Sequence, residues 1–188
     1  RGNEEFPDAT HNTILPFTRM INGAADYTIC YYRQDFGRLN ADKDSYGVPR
    51  SKSIQTTPAH QLALAAVYYS PLQYMYWYDK PSDSQDEPEL KFFDDVYTTW
   101  DDTKVLQGEV GEFITIARRK GEEWFIGSIT NNEKRVLSVS LDFLPEGKNY
   151  IAEIYTDGDK SVKTRTKVRV STYRVSNKTK LNFCLKAS

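Results

Sequence analysis

The first twelve residues, Arg1-Gly-Asn-Glu4-Glu5-Phe-Pro-Asp8-Ala-Thr10-His11-Asn12, gather three carboxylates, an imidazole and two carboxamides around one turn-forming proline. Carboxylate and carboxamide oxygens are the donors that Ca2+ prefers. Paired carboxylates are also the tools of glycosidic bond cleavage, one as proton donor and the other as base or nucleophile. On composition alone the same stretch reads more readily as a solvated acidic tail. A second candidate is Asp79, which ends the aromatic run Tyr74-Met-Tyr-Trp-Tyr78. Such a run can stack on a sugar ring, and more often packs in a core. His60 falls in the first turn of a helix and reads as structural.

The elements that must position these groups come in two styles. Up to about residue 100 the chain mixes helix and strand. Leu15 to Gly23 predicts a short helix closed by its glycine. Thr57-Pro58 opens a helix with a capping hydroxyl and a first-turn proline, and Ser70-Pro71 ends it. Leu72 to Tyr78 is apolar on both faces, as suits a buried strand of a parallel sheet. Asp79-Lys80-Pro81 is a polar loop, Pro88 to Val96 a short helix, and Asp35 to Lys52 a long surface loop. Helix, buried strand, polar loop, helix is the rhythm of an α/β barrel or doubly wound sheet.

After Thr99–Thr103 the pattern becomes strands with turns between them. Glu112 to Arg118 and Trp124 to Thr130 predict a hairpin. Val136 to Asp142, Tyr150 to Tyr155, Val168 to Val175 and Leu181 to Leu185 complete an antiparallel sheet or sandwich. Asp157-Gly158 carries a hairpin signal. From Val162 to Val170 the basic residues Lys163, Arg165, Lys167 and Arg169 occupy alternate positions, which places them on one face of a strand. That face is read as a solvated or edge-protecting surface rather than a docking patch.

Composition narrows the classes further. The chain has 188 residues and a net charge of -1, and no apolar run approaches the roughly 18–20 residues of a membrane span. Near-neutral charge argues against a general nucleic-acid binder, and 13 Tyr, 9 Phe and 3 Trp argue against disorder. A complete (β/α)8 barrel typically needs about 250 residues, so the chain reads as a fragment or mature piece. Cys30 and Cys184 read as two buried free thiols.

The string Arg1 to Arg19, ending His11-Asn-Thr-Ile-Leu-Pro-Phe-Thr-Arg19, resembles a signature block of glycoside hydrolase family 97, the α-glucosidases and α-galactosidases. The likeness continues through Gly23-Ala-Ala-Asp26-Tyr27-Thr28, Thr57-Pro-Ala-His60-Gln61-Leu62, Ser70-Pro71-Leu72-Gln73 and Trp77-Tyr78-Asp79-Lys80-Pro81. It runs on through Trp100-Asp-Asp-Thr103, Gly108-Glu109-Val-Gly111-Glu112, Ala117-Arg118-Arg119-Lys120-Gly121 and Trp124-Phe-Ile-Gly127, to about residue 157. The resemblance implies that residues 1–100 are the C-terminal part of a (β/α)8 glycosidase barrel and residues 101–188 a C-terminal antiparallel β-domain. It implies an exo-acting α-glycosidase, periplasmic or secreted, with Ca2+ in its active site, an oligosaccharide substrate, and the rest of the same polypeptide as its structural partner. By the resemblance Glu4 is a metal ligand, Glu5 the general acid with Asp8 second, and His11 and Asp79 contact substrate. The family's acid position before the histidine is Thr10 here, which leaves Glu5 and Asp8 as the alternatives. A second carboxylate would lie upstream of Arg1, so the isolated chain is expected to be inactive. The competing reading is a non-catalytic carbohydrate-binding or interaction module led by residues 101–188.

Overall fold

The computed structural model describes residues 8–31, 56–77 and 87–187. Helix α1 (Ala9–Ile14) begins where Asp8 caps it, its carboxylate accepting from the His11 backbone N–H at 2.7 Å. The chain then tightens into two 3-10 turns, Leu15–Phe17 and Arg19–Asn22. The single helix expected from Leu15 to Gly23 is therefore replaced by an earlier helix and these turns, because Pro16 brings no N–H to continue the α-helical ladder. Gly23 does close the segment, at φ +115°.

Strand β1 (Tyr27–Tyr31) pairs in parallel with β2 (Gln73–Trp77), in register from Tyr27 opposite Gln73 to Tyr31 opposite Trp77. The crossover between them contains helix α2 (Pro58–Val67). Thr57 caps it as expected, its hydroxyl accepting from the His60 N–H at 3.2 Å, and Pro58 occupies the first turn. The expected parallel strand is present, but Tyr74 and Met75, which point to opposite faces, are 58% and 48% exposed rather than buried; among the described residues this strand is paired on one edge only. After a 3-10 turn at Pro88–Leu90 comes the short helix α3 (Lys91–Asp95).

Beyond it all regular structure is β. Strands β3 (Asp102–Glu109), β4 (Phe113–Lys120) and β5 (Glu123–Thr130) form an antiparallel meander. Strand β6 (Arg135–Ser140) pairs with β9 (Lys180–Leu185), and β7 (Asn149–Asp157) with β8 (Val168–Ser176), both antiparallel. The three sheets share a core of Val139, Leu141, Leu144 and Val175, with Leu106, Trp124, Tyr150 and Phe183 packed on it. Strand β3 was not anticipated, because Asp102-Thr-Lys-Val-Leu-Gln-Gly-Glu109 alternates only weakly.

Three further expectations are corrected. The turn after Asp157 is not a two-residue hairpin but a connector of residues 158–167, closed by Gly158 N–H donating to the Lys167 carbonyl at 2.6 Å. The basic residues consequently share no strand face. Lys163, Arg165 and Lys167 lie in the connector, Lys167 at φ +59°, and only Arg169 is in a strand. Cys184 is a free and exposed thiol. It stands opposite Val136, itself 77% exposed, on the outer side of the β6–β9 pair. Cys30's side chain, and the loop expected at 35–52, lie outside the described residues.

The two styles of structure share one core. Helix α2 is buried on nearly every side. Leu62 and Ala65 pack with Ile29 and Val168, while Leu64, Val67 and Tyr68 pack with Ile114, Ile116 and Ile129 of β4 and β5. The approach is close: a Cβ on Gly127 would lie 2.6 Å from the Ala63 carbonyl oxygen and 2.8 Å from Val67 Cγ2. Arg118 of β4 completes the contact. It is 5% exposed. Its guanidinium donates to the carbonyls of Ala66 and Val67 at the C-terminus of α2, and to Thr103 Oγ1 at 2.9 Å. A cation there satisfies carbonyls left open by the helix and meets the negative end of its dipole. Replacing Arg118 with Met should cost about 2–4 kcal/mol, since two buried carbonyls lose their donor. Urea denaturation checks this, and an unchanged midpoint would remove Arg118 from that role.

Candidate functional site

In parallel α/β sheets, ligands bind outside the carboxyl ends of the strands. Here those ends are Tyr31 and Trp77, and the helical segments that follow them in the sequence open at Thr57 and at Glu87. Glu4, Glu5 and Asp79 lie outside the described residues. Asp8 and His11 are described, and both are exposed. The structure brings them together through the helix cap, where the Asp8 carboxylate holds the His11 backbone rather than its ring.

Behind α1 lies a buried polar network that sequence reasoning did not assemble. Asn12, 1% exposed, donates from Nδ2 to His60 Nε2 at 3.0 Å and accepts at Oδ1 from the Tyr68 hydroxyl at 2.9 Å. An accepting Nε2 requires the neutral imidazole. Burial enforces the same state, lowering His60 from its usual value to about 3 and pushing the Tyr68 phenol well above its usual range. The Tyr27 hydroxyl donates to Gln61 Oε1 at 3.2 Å, Gln61 Nε2 donates to Thr56 Oγ1 at 2.7 Å, and the Tyr27 and Tyr68 rings meet edge-on at 4.7 Å. The network therefore ties α1, which follows the acidic segment directly, to both ends of α2. The available signal was residue type: His60, Gln61 and Tyr68 are polar groups on and just after a helix otherwise apolar.

At the same end, three contacts arrive from the β-rich part. Asp157 Oδ2 accepts from Thr57 Oγ1 at 2.9 Å, and burial raises this carboxyl above its ordinary value against that bond and one from the Ala59 N–H. Thr166 Oγ1 donates to Glu89 Oε1, and Arg165 Nε stands 3.5 Å from Glu87 Oε1. Among the described residues no three His, Cys, Asp or Glu side chains cluster as a metal site. None of the described helices is long and apolar enough to cross a membrane.

The network makes a pH prediction. With a folded value near 3 against about 6.5 unfolded, His60 binds more protons unfolded, so stability is full above pH 6.5 and lost as pH falls toward 3. His60→Gln, which keeps an acceptor for Asn12, should flatten the decline of thermal midpoint between pH 6.5 and 4. An equally steep decline in the variant would remove His60 from the acid response.

Comparison with known proteins fits this geometry. Residues 99–188 match the family model described as Glycosyl-hydrolase 97 C-terminal, oligomerisation. A retaining alpha-galactosidase of Bacteroides thetaiotaomicron is 37% identical over 150 residues, covering 79% of this chain and 21% of that protein. A probable retaining alpha-galactosidase of Streptomyces bingchenggensis is 32% identical over 121 residues, covering 63% of this chain and 16% of that protein. A solved Glycoside Hydrolase Family 97 enzyme from Pseudoalteromonas sp. strain K8, in complex with acarbose, superposes with a TM-score of 0.76 at 31% identity, over 96% of this chain and 27% of that one. The chain thus spans about a fifth of the curated relatives and about a quarter of the solved enzyme. Its β-rich region matches the family's C-terminal domain, its fold and its sequence agree with the same enzymes, and the chain belongs to glycoside hydrolase family 97.

Proposed function

We propose that this chain is the closing part of a (β/α)8 barrel, over residues 1–100, followed by the C-terminal β-domain, over 101–188, of an exo-acting, calcium-dependent α-glycosidase. The observation that carries the reading is the 37% identity over 150 residues with a retaining α-galactosidase, in a chain whose parallel β1–α2–β2 unit has the βα form of a barrel. Of the two sugars, the names of the curated relatives favour α-galactosides over α-glucosides. Glu5 is the proposed proton donor to the leaving oxygen, with Asp8 as the alternative. Asp8's capping bond already gives its carboxylate a task at the start of α1. His11 and Asp79 are proposed to contact sugar hydroxyls. Calcium, held in part by Glu4, would polarise and orient substrate oxygens. The barrel face and the secreted or periplasmic setting belong to the same proposal.

A retaining reaction places its two carboxyl groups about 5–5.5 Å apart and passes through a glycosyl-enzyme intermediate. The test is hydrolysis of p-nitrophenyl α-galactoside by the full-length polypeptide, followed by NMR of the first-formed anomer. Retention is expected, with Glu5→Gln lowering kcat by about 10²–10⁴ on substrates with poor leaving groups. The 188-residue chain alone should be inactive. Turnover by that isolated chain, or full activity of Glu5→Gln on an α-galactoside with a sugar leaving group, overturns this assignment.

The family model's own description favours a second role beside the first, self-association through residues 99–188. Exposed Val136, Ile151 and Tyr173 on the β6 to β8 strands supply apolar surface for it. Sedimentation of Val136→Glu and Ile151→Glu variants tests this, and an unchanged oligomeric state in both would exclude those strands.

A further inference from the structure

The residues that open the helical segments following β1 and β2 are both held by one segment of the β-rich region. Thr57 is bonded by Asp157, at the end of β7. Nine residues on, Thr166 donates to Glu89, and Arg165 faces Glu87. The acids on either side of Pro88 are deeply buried, Glu87 at 6% and Glu89 at 0% exposed, and Thr166 is 3% exposed. Burying a carboxylate is costly unless it is hydrogen-bonded or paired, and both of these find such partners on the connector.

The connector is itself a built structure. Gly158 is bonded to Lys167 and has no space for a side chain, since a Cβ there would lie 2.4 Å from Val162 Cγ2. Asp159 Oδ1 accepts from the Ser161 N–H at 2.8 Å and pairs with Arg169 at 3.1 Å. Lys167 Nζ donates to the Val162 carbonyl at 3.0 Å. Val168, where the connector rejoins the sheet, is packed with Ile29, Leu62 and Ala65 under β1 and α2. A compact, internally bonded loop of this kind can hold what it touches in place.

We propose that the connector of residues 158–167, with Asp157, is a positioning element of the catalytic end of the sheet, fixing Thr57 and Glu87–Glu89 from the β-domain. This rests on the glycosidase reading above and adds to it a task for the β-domain in the reaction. Thr166, Arg165 and Asp157 are positioning residues that act through the segments they hold and do not touch substrate.

The test uses the full-length polypeptide with Thr166→Val, Thr166→Ser and Arg165→Met, and Lys160→Ala as an exposed control within the same connector. Thr166→Val should lower kcat/KM for the p-nitrophenyl α-glycoside roughly ten- to hundredfold at temperatures where it is fully folded. Thr166→Ser, which keeps the hydroxyl, should restore it. Arg165→Met should lower it less, and Lys160→Ala should leave it unchanged. Deuterium uptake at residues 87–95 should rise in Thr166→Val and return to the wild-type level in Thr166→Ser. A lower Tm with unchanged kcat/KM in the folded enzyme overturns the proposal, as does loss of activity in Thr166→Val that Thr166→Ser does not rescue. Inactivity of the wild-type polypeptide on both sugars would sink the glycosidase reading. The exchange measurement then still decides whether the connector holds this segment, and unchanged uptake overturns that.

Discussion

The contact on which the rest of the structure depends is the Arg118 guanidinium under the last turn of α2. It belongs to the β-sheet by sequence and to the helix by bonding. Its fork reaches the two carbonyls that close the helix, and its third arm returns to Thr103 on β3. Lysine would carry the charge without the fixed planar geometry. Burial lowers the guanidinium from its ordinary value, which for arginine still leaves it charged. Around this bond the apolar contacts can close: Gly127 admits the helix backbone, and Leu64, Val67 and Tyr68 reach Ile114, Ile116 and Ile129. The core therefore runs across the change from helix to strand near residue 100.

Much of this fold was legible in the residues. Thr57-Pro58 and Ser70-Pro71 bounded α2 because capping and proline geometry are local. The Glu112–Thr130 hairpin followed from two short runs rich in apolar residues and from the turn between them, where Gly121 adopts φ +57°. Signals that failed were those settled by tertiary contact. The alternation from Lys163 to Arg169 looks like a strand, but Arg165 turns to the distant Glu87 and the Lys167 carbonyl closes back on Gly158, so the segment is a connector until Val168. Cys184 was placed inside by residue type, whereas its register opposite Val136 turns it outward. Strand β3 draws its order from pairing with β4 rather than from its own pattern.

The candidate site was legible as chemistry more than as geometry. Asp8 and His11 were marked by type, and the capping bond between them became visible only with the helix start at Ala9. The Asn12–His60–Tyr68 network joins residues 48 and 56 positions apart, a separation no local pattern encodes. Its effect is to carry the position of α2 to the helix that follows the acidic segment. Together with the bonds from Asp157, Arg165 and Thr166, it places the candidate catalytic end between supports from two sides.

The burial of α2 also bears on how such a chain is made. The helix that would ordinarily show water its outer face instead shows Leu64 and Val67 to β4 and β5. Ile129 follows Leu64 by 65 residues. At a synthesis rate of about 5–20 residues per second, that face waits roughly 3–13 s on the ribosome before its cover exists. The nascent helix is an apolar surface for that interval, and it invites chaperone capture until the β5 strand has emerged.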